Sequence, residues 1–221
     1  MASPQGPGLP RLHVVVGDEI LAAPGFADRL GGVAGAGGSR LALHLRARST
    51  APARLFAVAS RLVGRARARG TLVVVNDRLD VALGAGAGGV QLREDSLGPA
   101  EARAVLDAAA RPGGRFFVGR SIHSPKQAGA LAGSGADWLV LGSVYATSSH
   151  PEGRPIGPGA VAAAVSVAGA PVLAIGGIGP GEVPGLLSLG AHGVVAKSGV
   201  WGGGDPPGAV TRYLEVLYAE D

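Results

Sequence analysis

Apolar residues in this chain come in short consecutive runs rather than in strict alternation with polar ones. LHVVV at 12–16, LALHL at 41–45, TLVVV at 71–75, GGVQL at 88–92, RFFVG at 115–119, DWLVLG at 137–142, PVLAIG at 171–176 and GVVAK at 193–197 make eight such runs. A strand apolar on successive residues is buried on both faces, which is the mark of a parallel sheet covered by helices. Between the runs the period changes. The stretch 51–69 sets Leu55, Phe56, Val58, Leu62, Val63 and Ala66 at helical spacing, and similar stretches lie at 100–109, 124–132, 158–168 and 206–218. Pro99, Pro125 and Pro158 stand where helices start. A weaker helix, interrupted by Gly and Pro, is read near 19–34. Eight βα units predict a closed (β/α)8 TIM barrel, with a doubly wound open sheet as the runner-up. The barrel is expected to fill 12–221 as a single domain behind a flexible N-terminal tail at 1–11.

Composition narrows the chemistry. With 221 residues, 47% hydrophobic and 16% charged, the chain has material for one sizeable core and lies far from the signature of disorder. Aromatics are only 4% and glycine numbers 39, so the core has to be close-packed Val, Leu and Ala. There is no cysteine, which removes disulfides, thiolate nucleophiles and Cys-based metal sites. No apolar run is long enough to span a membrane and the opening residues carry no apolar leader, so a cytoplasmic protein without a membrane partner is expected. The net charge of +4 is spread along the chain. Its densest run, Arg65, Arg67 and Arg69, reads as a solvated helix end where cations suit the helix dipole, and no nucleic-acid partner is expected.

In such a barrel the working side chains sit at the C-terminal ends of the strands, and phosphate is commonly held after strands seven and eight. Those loops read Ile175-Gly176-Gly177-Ile178-Gly179 and Lys197-Ser198-Gly199. Glycines let free backbone N–H groups approach an anion, and a following helix start adds partial positive charge. Other polar groups gather at the same mouth: Arg46 and Arg48, Asn76-Asp77-Arg78, Gln91, Arg120, Ser121 and His123, and the run from Ser143 to His150. Arg46 and Arg48 alternate to one side and suit a carboxylate or phosphate. Asn76 and Asp77 are candidates either for ligand contact or for capping the next helix. His123 has the side chain for general base work, or for a bond to backbone in a βα turn.

From 12 to 218 the motifs LHLRARS (43–49), VNDRLDVAL (75–83), GVQL (89–92), GRSIHS (119–124), GADWLVLGSVYATSSHPEGRPIG (135–157) and AIGGI (174–178) resemble the thiamine phosphate synthase/TenI superfamily. The synthase branch joins a pyrimidine pyrophosphate to a thiazole phosphate with two Mg²⁺-binding aspartates and a pyrophosphate-binding lysine. Asp77 matches the first aspartate. The second falls at Ser96, the lysine falls at His150, and the usual RxK is Arg46-Ala47-Arg48. The resemblance therefore leans to the TenI branch, a thiazole tautomerase that aromatises a carboxythiazole phosphate by moving a proton, with no cofactor; Mg²⁺ on Asp77 belongs to the synthase alternative. It implies a small phosphorylated thiazole ligand held by Gly176, Gly177, Ser198 and Gly199, with Arg46, Arg48, Asn76 and Thr147 also binding, and a homodimer as the candidate assembly. Ser143 stands where that branch has a histidine, so His123 or His150 becomes the expected base. A regulator that binds thiamine phosphates without turnover is the third reading.

Overall fold

The computed structural model describes residues 8–109, 114–147 and 153–219. Eight parallel strands close into a barrel in chain order, each hydrogen-bonded to the next, with the last paired to the first. They are β1 (Leu12–Gly17), β2 (Leu41–Arg46), β3 (Leu72–Asn76), β4 (Gly89–Leu92), β5 (Phe117–Ile122), β6 (Trp138–Gly142), β7 (Val172–Ile175) and β8 (Gly193–Ala196). The barrel reading holds; the open sheet does not, because Leu12, His13 and Val14 lie opposite Val194, Val195 and Ala196 across the seam.

Alternation along each strand sorts side chains into two cores. Leu12, Val14 and Val16 of β1, like Leu41, Leu43 and Leu45 of β2, face outward under the helices and are fully buried. Val15, Ala42, Val74, Trp138, Val140, Leu173 and Val195 face inward and fill the barrel. Polar groups share that interior: His13, His44 and Gln91 are at most 2% exposed. Trp138, the largest fully buried side chain, stacks edge-on against His13 and donates its indole N–H to Gln91 Oε1 at 2.7 Å.

The helices form the outer layer. They are α1 (Asp18–Ala22), α2 (Phe26–Gly37), α3 (Pro52–Arg67), α4 (Leu79–Gly84), α5 (Pro99–Ala108), α6 (Pro125–Ala130), α7 (Gly159–Val165), α8 (Val183–Ser188), α9 (Ser198–Trp201) and α10 (Pro206–Leu217). Proline at the first turn of α3, α5, α6 and α10 removes an N–H that would have no partner there. Ser124 caps α6 by accepting from Gln127 N, and Asp205 caps α10 by accepting from Gly208 N.

Three local expectations are corrected. The fifth strand runs on to Ile122, because Gly119–Ile122 pair with Trp138–Leu141; Arg120 and Ser121 are therefore in the strand and not beyond it. On α3 the buried row is Leu55, Ala59, Leu62, Val63 and Ala66, while Phe56 is 44% exposed, one residue off the row. The single helix read near 19–34 is two, broken at Ala23–Gly25, where Gly25 has φ 66°. Arg65 and Arg67 do end α3 as exposed cations, Arg65 donating to Ala27 O. No helix among the described residues is long and apolar enough to cross a membrane.

Candidate active site

The C-terminal mouth of the barrel opens into a cavity of about 970 Å³. Its floor takes one inward residue from every strand: Val15, His44, Asn76, Gln91, Ser121, Val140, Ile175 and Val195. Arg46, Arg48, Asp77, His123, Ser143, Thr147, Gly176, Gly177, Ser198 and Gly199 line its wall, so the sequence-predicted residues within the described range converge on one space, Arg120 excepted. His150 lies outside the described residues.

One pole is built of glycine. Gly176 and Gly177 have φ of 105° and 64°, and a Cβ on Gly177 would lie 2.2 Å from Ala146 O, so only glycine passes here. Gly199 is required by a close approach, since a Cβ there would meet Tyr213 Oη at 2.1 Å. Burial pushes that phenol up to about 12, so it stays a donor, and it ties the loop after β7 by donating to Ile178 O at 2.6 Å. α9 starts at Ser198 but spans four residues, so its dipole adds less than a full helix would. Lys197 flanks this pole and pairs with Glu19 at 2.9 Å. Burial alone would raise the Glu19 carboxyl, yet the Lys197 hydrogen bond, a backbone N–H and the Lys197 charge together outweigh it and the group falls below its ordinary value.

The opposite pole is cationic. Arg46 is half-buried, and among the described residues no group hydrogen-bonds or ion-pairs with its guanidinium. Burial, then the neighbouring charges of Arg48 and Arg93, lower its pKa. The backbone of Arg48 is pinned by Asp18, whose carboxylate accepts from Arg48 N at 2.7 Å, Ser49 N at 3.1 Å and Thr50 Oγ1 at 2.7 Å. Burial works against ionisation of Asp18, but these donors more than offset it and its pKa is lowered. Arg120 contacts no ligand space; it donates to Leu97 O and Glu94 O and holds the loop after β4.

Asp77 does not cap α4. Arg78 occupies the N-cap position and no side chain caps that helix. Asp77 instead sits at φ 67°, accepts from Arg93 N at 3.2 Å and lies 3.4 Å from Arg93 Nε. Arg93 is also paired with Asp95. Ser96 Oγ is taken in both directions by the backbone of Arg93. Glu94 turns to Gln127 and to His123 Nε2, 3.3 Å away. Every carboxylate lining the cavity here already has a cationic or amide partner, and no cluster of three metal-ligating side chains exists among the described residues. A hard cation that wants six oxygen ligands does not fit this donor set.

Two histidines reach the cavity differently. His123 Nδ1 lies 2.7 Å from Gly142 O and donates to it, while Nε2 faces a Glu94 carboxylate oxygen at 3.3 Å. His44 lies in the floor, and sequence reasoning missed it. It stands two residues before Arg46 in the same strand, so the alternation that turned Arg46 inward also signalled His44. Burial pushes its imidazole down to about 3, against a smaller opposing effect of the neighbouring Asn76 side chain, so it is neutral near pH 7. Asn76 Oδ1 is buried without a partner among the described residues, an acceptor that a bound ring would satisfy.

A family model described as thiamine monophosphate synthase matches residues 29–200. The thiamine-phosphate synthase of Methanospirillum hungatei is 31% identical over 205 residues, 92% of this chain and 96% of that protein. The bifunctional thiamine biosynthesis protein of Symbiobacterium thermophilum is 38% identical over 80% of this chain, and the thiamine-phosphate synthase of Gloeobacter violaceus 34% over 76%. The chain spans only 36% and 48% of those two proteins. Among solved structures, thiamine phosphate pyrophosphorylase from Pyrococcus furiosus superposes with a TM-score of 0.78 at 26% identity, covering 95% of this chain and 96% of that one. These likenesses carry the synthase name, whereas the strand-end motifs leaned to the tautomerase.

Proposed function

The chain belongs to the thiamine monophosphate synthase family of thiamine biosynthesis, and from that premise we propose that it is a thiamine phosphate synthase, joining a pyrimidine pyrophosphate to a thiazole phosphate. The observation that carries this reading is that one cavity is lined both by the glycine loops after β7 and β8 and by the guanidinium-bearing loop after β2, two separate places suited to an anion. Two substrates, each with its own phosphate group, call for two such poles. At about 970 Å³ the cavity is at the upper end of the usual range of roughly 300–1,000 Å³ for ligand pockets, large enough for both at once.

The thiazole phosphate sits on Gly176, Gly177, Ser198 and Gly199, with Thr147 beside it. The pyrimidine ring lies over the floor, where Asn76 Oδ1 accepts from it, and its pyrophosphate meets Arg46 and Arg48. The bond between the exocyclic carbon of the pyrimidine and the pyrophosphate oxygen breaks, and the leaving group takes the electron pair. The thiazole nitrogen then supplies its lone pair to that carbon, giving the thiazolium; no proton is lost. The guanidinium groups of Arg46 and Arg48 stabilise the charge growing on the leaving group, and the walls hold the nitrogen on line with the carbon. Mg²⁺, the ion the family pattern would bring, does not match these donors, and no step is assigned to it.

One observation favours a second reading. His123, with Nδ1 committed to Gly142 O and Nε2 turned towards the Glu94 carboxylate, presents one ring nitrogen at the mouth for proton transfer, as a thiazole tautomerase needs. Ser143, adjacent in the wall, would then place the ring.

The test gives purified protein both substrates and follows thiamine phosphate and pyrophosphate, which should appear in equal amounts. No thiamine phosphate, together with aromatisation of a carboxythiazole phosphate that His123→Ala abolishes, would replace this function with the tautomerase. Tight binding of thiamine phosphate with neither reaction would make the chain a regulator.

A further inference from the structure

The cationic pole holds a third arginine that belongs to neither of the motifs expected to bind anions. Arg93 follows β4, two strands round the barrel from the end of β2 that carries Arg46, close enough for its charge to act on Arg46, and its guanidinium carries five N–H groups in a planar fork. Its Nε and Nη2 are directed to Asp95, and Nε also lies 3.4 Å from Asp77. Nη1 has no partner among the described residues. Three guanidinium groups gather at this pole; Asp77 and Asp95 are taken up by Arg93, Glu19 by Lys197 and Asp18 by the loop backbone after β2, which leaves the guanidinium of Arg46 without a carboxylate partner among the described residues. A divalent cation on Asp77 would be forced against the Arg93 charge.

We propose that Arg93 stands where a divalent cation would otherwise be needed, so that the pole formed by Arg46, Arg48 and Arg93 binds the pyrophosphate of a substrate with no metal. The ligand class is a polyanionic diphosphate; naming it as the pyrimidine pyrophosphate rests on the synthase reading. Guanidinium forks match phosphate oxygens bidentately, which supplies in hydrogen bonds what a metal supplies in coordination. The pole is also built in advance. Asp18 fixes the backbone at Arg48, while Arg120 grips the carbonyls of Glu94 and Leu97 and so fixes the loop that carries Arg93. The Ser96 hydroxyl, locked to the Arg93 backbone, closes the position from which a second carboxylate would reach a metal.

Titration calorimetry of the full chain with inorganic pyrophosphate, in EDTA and again with excess Mg²⁺, tests this directly. Binding is expected in EDTA, with no tightening on adding Mg²⁺, and Arg93→Ala is expected to weaken it at least about 10-fold, the loss of a charge-assisted pair. Arg93→Lys, which keeps the charge and loses the fork, should fall between the two. Thermal melts equal to wild type show that the variants fold. Binding that appears only with Mg²⁺, or Arg93→Ala with wild-type affinity in EDTA, overturns the proposal. Pyrophosphate binding in EDTA without thiamine phosphate formation keeps this pole and removes the synthase, whereas synthase turnover that requires Mg²⁺ keeps the synthase and removes the metal-free pole.

Discussion

His13 Nδ1 lies 2.8 Å from His44 Nε2 in the sealed interior of the barrel, and the proton between them has a fixed direction. His13 Nε2 faces the carbonyl of Pro10 at 3.1 Å, which can only accept, so that nitrogen carries the hydrogen. His13 Nδ1 is then the acceptor and His44 Nε2 the donor. Both rings are neutral: burial holds His13 well below its ordinary value, with the His44 charge a smaller cause, and burial pushes His44 down to about 3.

This pair makes the fold acid-labile. A histidine with a depressed folded pKa binds its proton in the unfolded chain first, so its stabilisation is full above about pH 6.5 and is lost as pH falls from there towards the folded value. For His44 the loss between pH 6.5 and 5 is on the order of 2 kcal/mol, and His13 adds to it in the same direction. Urea unfolding at the two pH values reads this as a shift in midpoint. The shift should shrink in His44→Gln, and a midpoint unchanged between pH 6.5 and 5 contradicts the account.

Gln91 satisfies two buried groups at once, accepting from Trp138 Nε1 and donating to Ser121 Oγ at 3.0 Å. Gln91→Leu keeps the volume but strands the indole N–H, at a cost of about 1–3 kcal/mol. Equilibrium unfolding should show that loss, and near-ultraviolet circular dichroism should show a changed Trp138 environment. A fully stable Gln91→Leu would mean that the indole finds another acceptor.

Gly177 cannot carry a side chain without moving the backbone of Ala146. Gly177→Ala is expected to cost about 1–2 kcal/mol from the left-handed conformation alone and to weaken thiazole phosphate binding by at least about 10-fold. Calorimetry with the thiazole phosphate measures the second effect. Unchanged affinity would place the phosphate elsewhere in the cavity.

Asp18 touches no ligand space of its own, yet it holds three donors of the loop that bears Arg48. Asp18→Ala should raise KM for the pyrophosphate substrate several-fold while leaving KM for the thiazole phosphate near wild type. Steady-state kinetics with each substrate varied in turn makes the distinction, and an equal rise in both KM values would show a general collapse of the mouth.

The barrel was legible because runs such as LHVVV and TLVVV bury both faces, a pattern that little else in protein architecture produces. The glycine pole was legible for a similar reason, since Gly176-Gly177 falls at the end of a countable strand. His44 was not, because a histidine inside an apolar run reads as a core residue, and only closure of the barrel shows that it paves a cavity. Arg93 was hidden differently. Its pairing with Asp77 spans two loops, and in the linear chain it reads as one more surface charge beside Glu94 and Asp95. Phe56 failed at finer grain, since a wheel drawn with six apolar positions does not tell which edge of the row the barrel covers.

The seam between β1 and β8 sets an order on the making of this protein. Arg11 donates through Nε to His192 O across a separation of 181 residues, and Val194 N donates to Arg11 O at 2.9 Å beside it. At about 5–20 residues per second, the first strand waits roughly 10 to 40 s on the ribosome before its second neighbour is translated. Throughout that interval β1 lacks the partner that closes the barrel, and the margin it would share with β8 has unpaired backbone groups. The floor of the cavity draws on all eight strands, so it is complete only once β8 has been made. A chain arrested before Gly193 would carry Arg46, Arg48, Arg93 and Gly176-Gly177 but lack β8 and the Ser198-Gly199 half of the glycine pole.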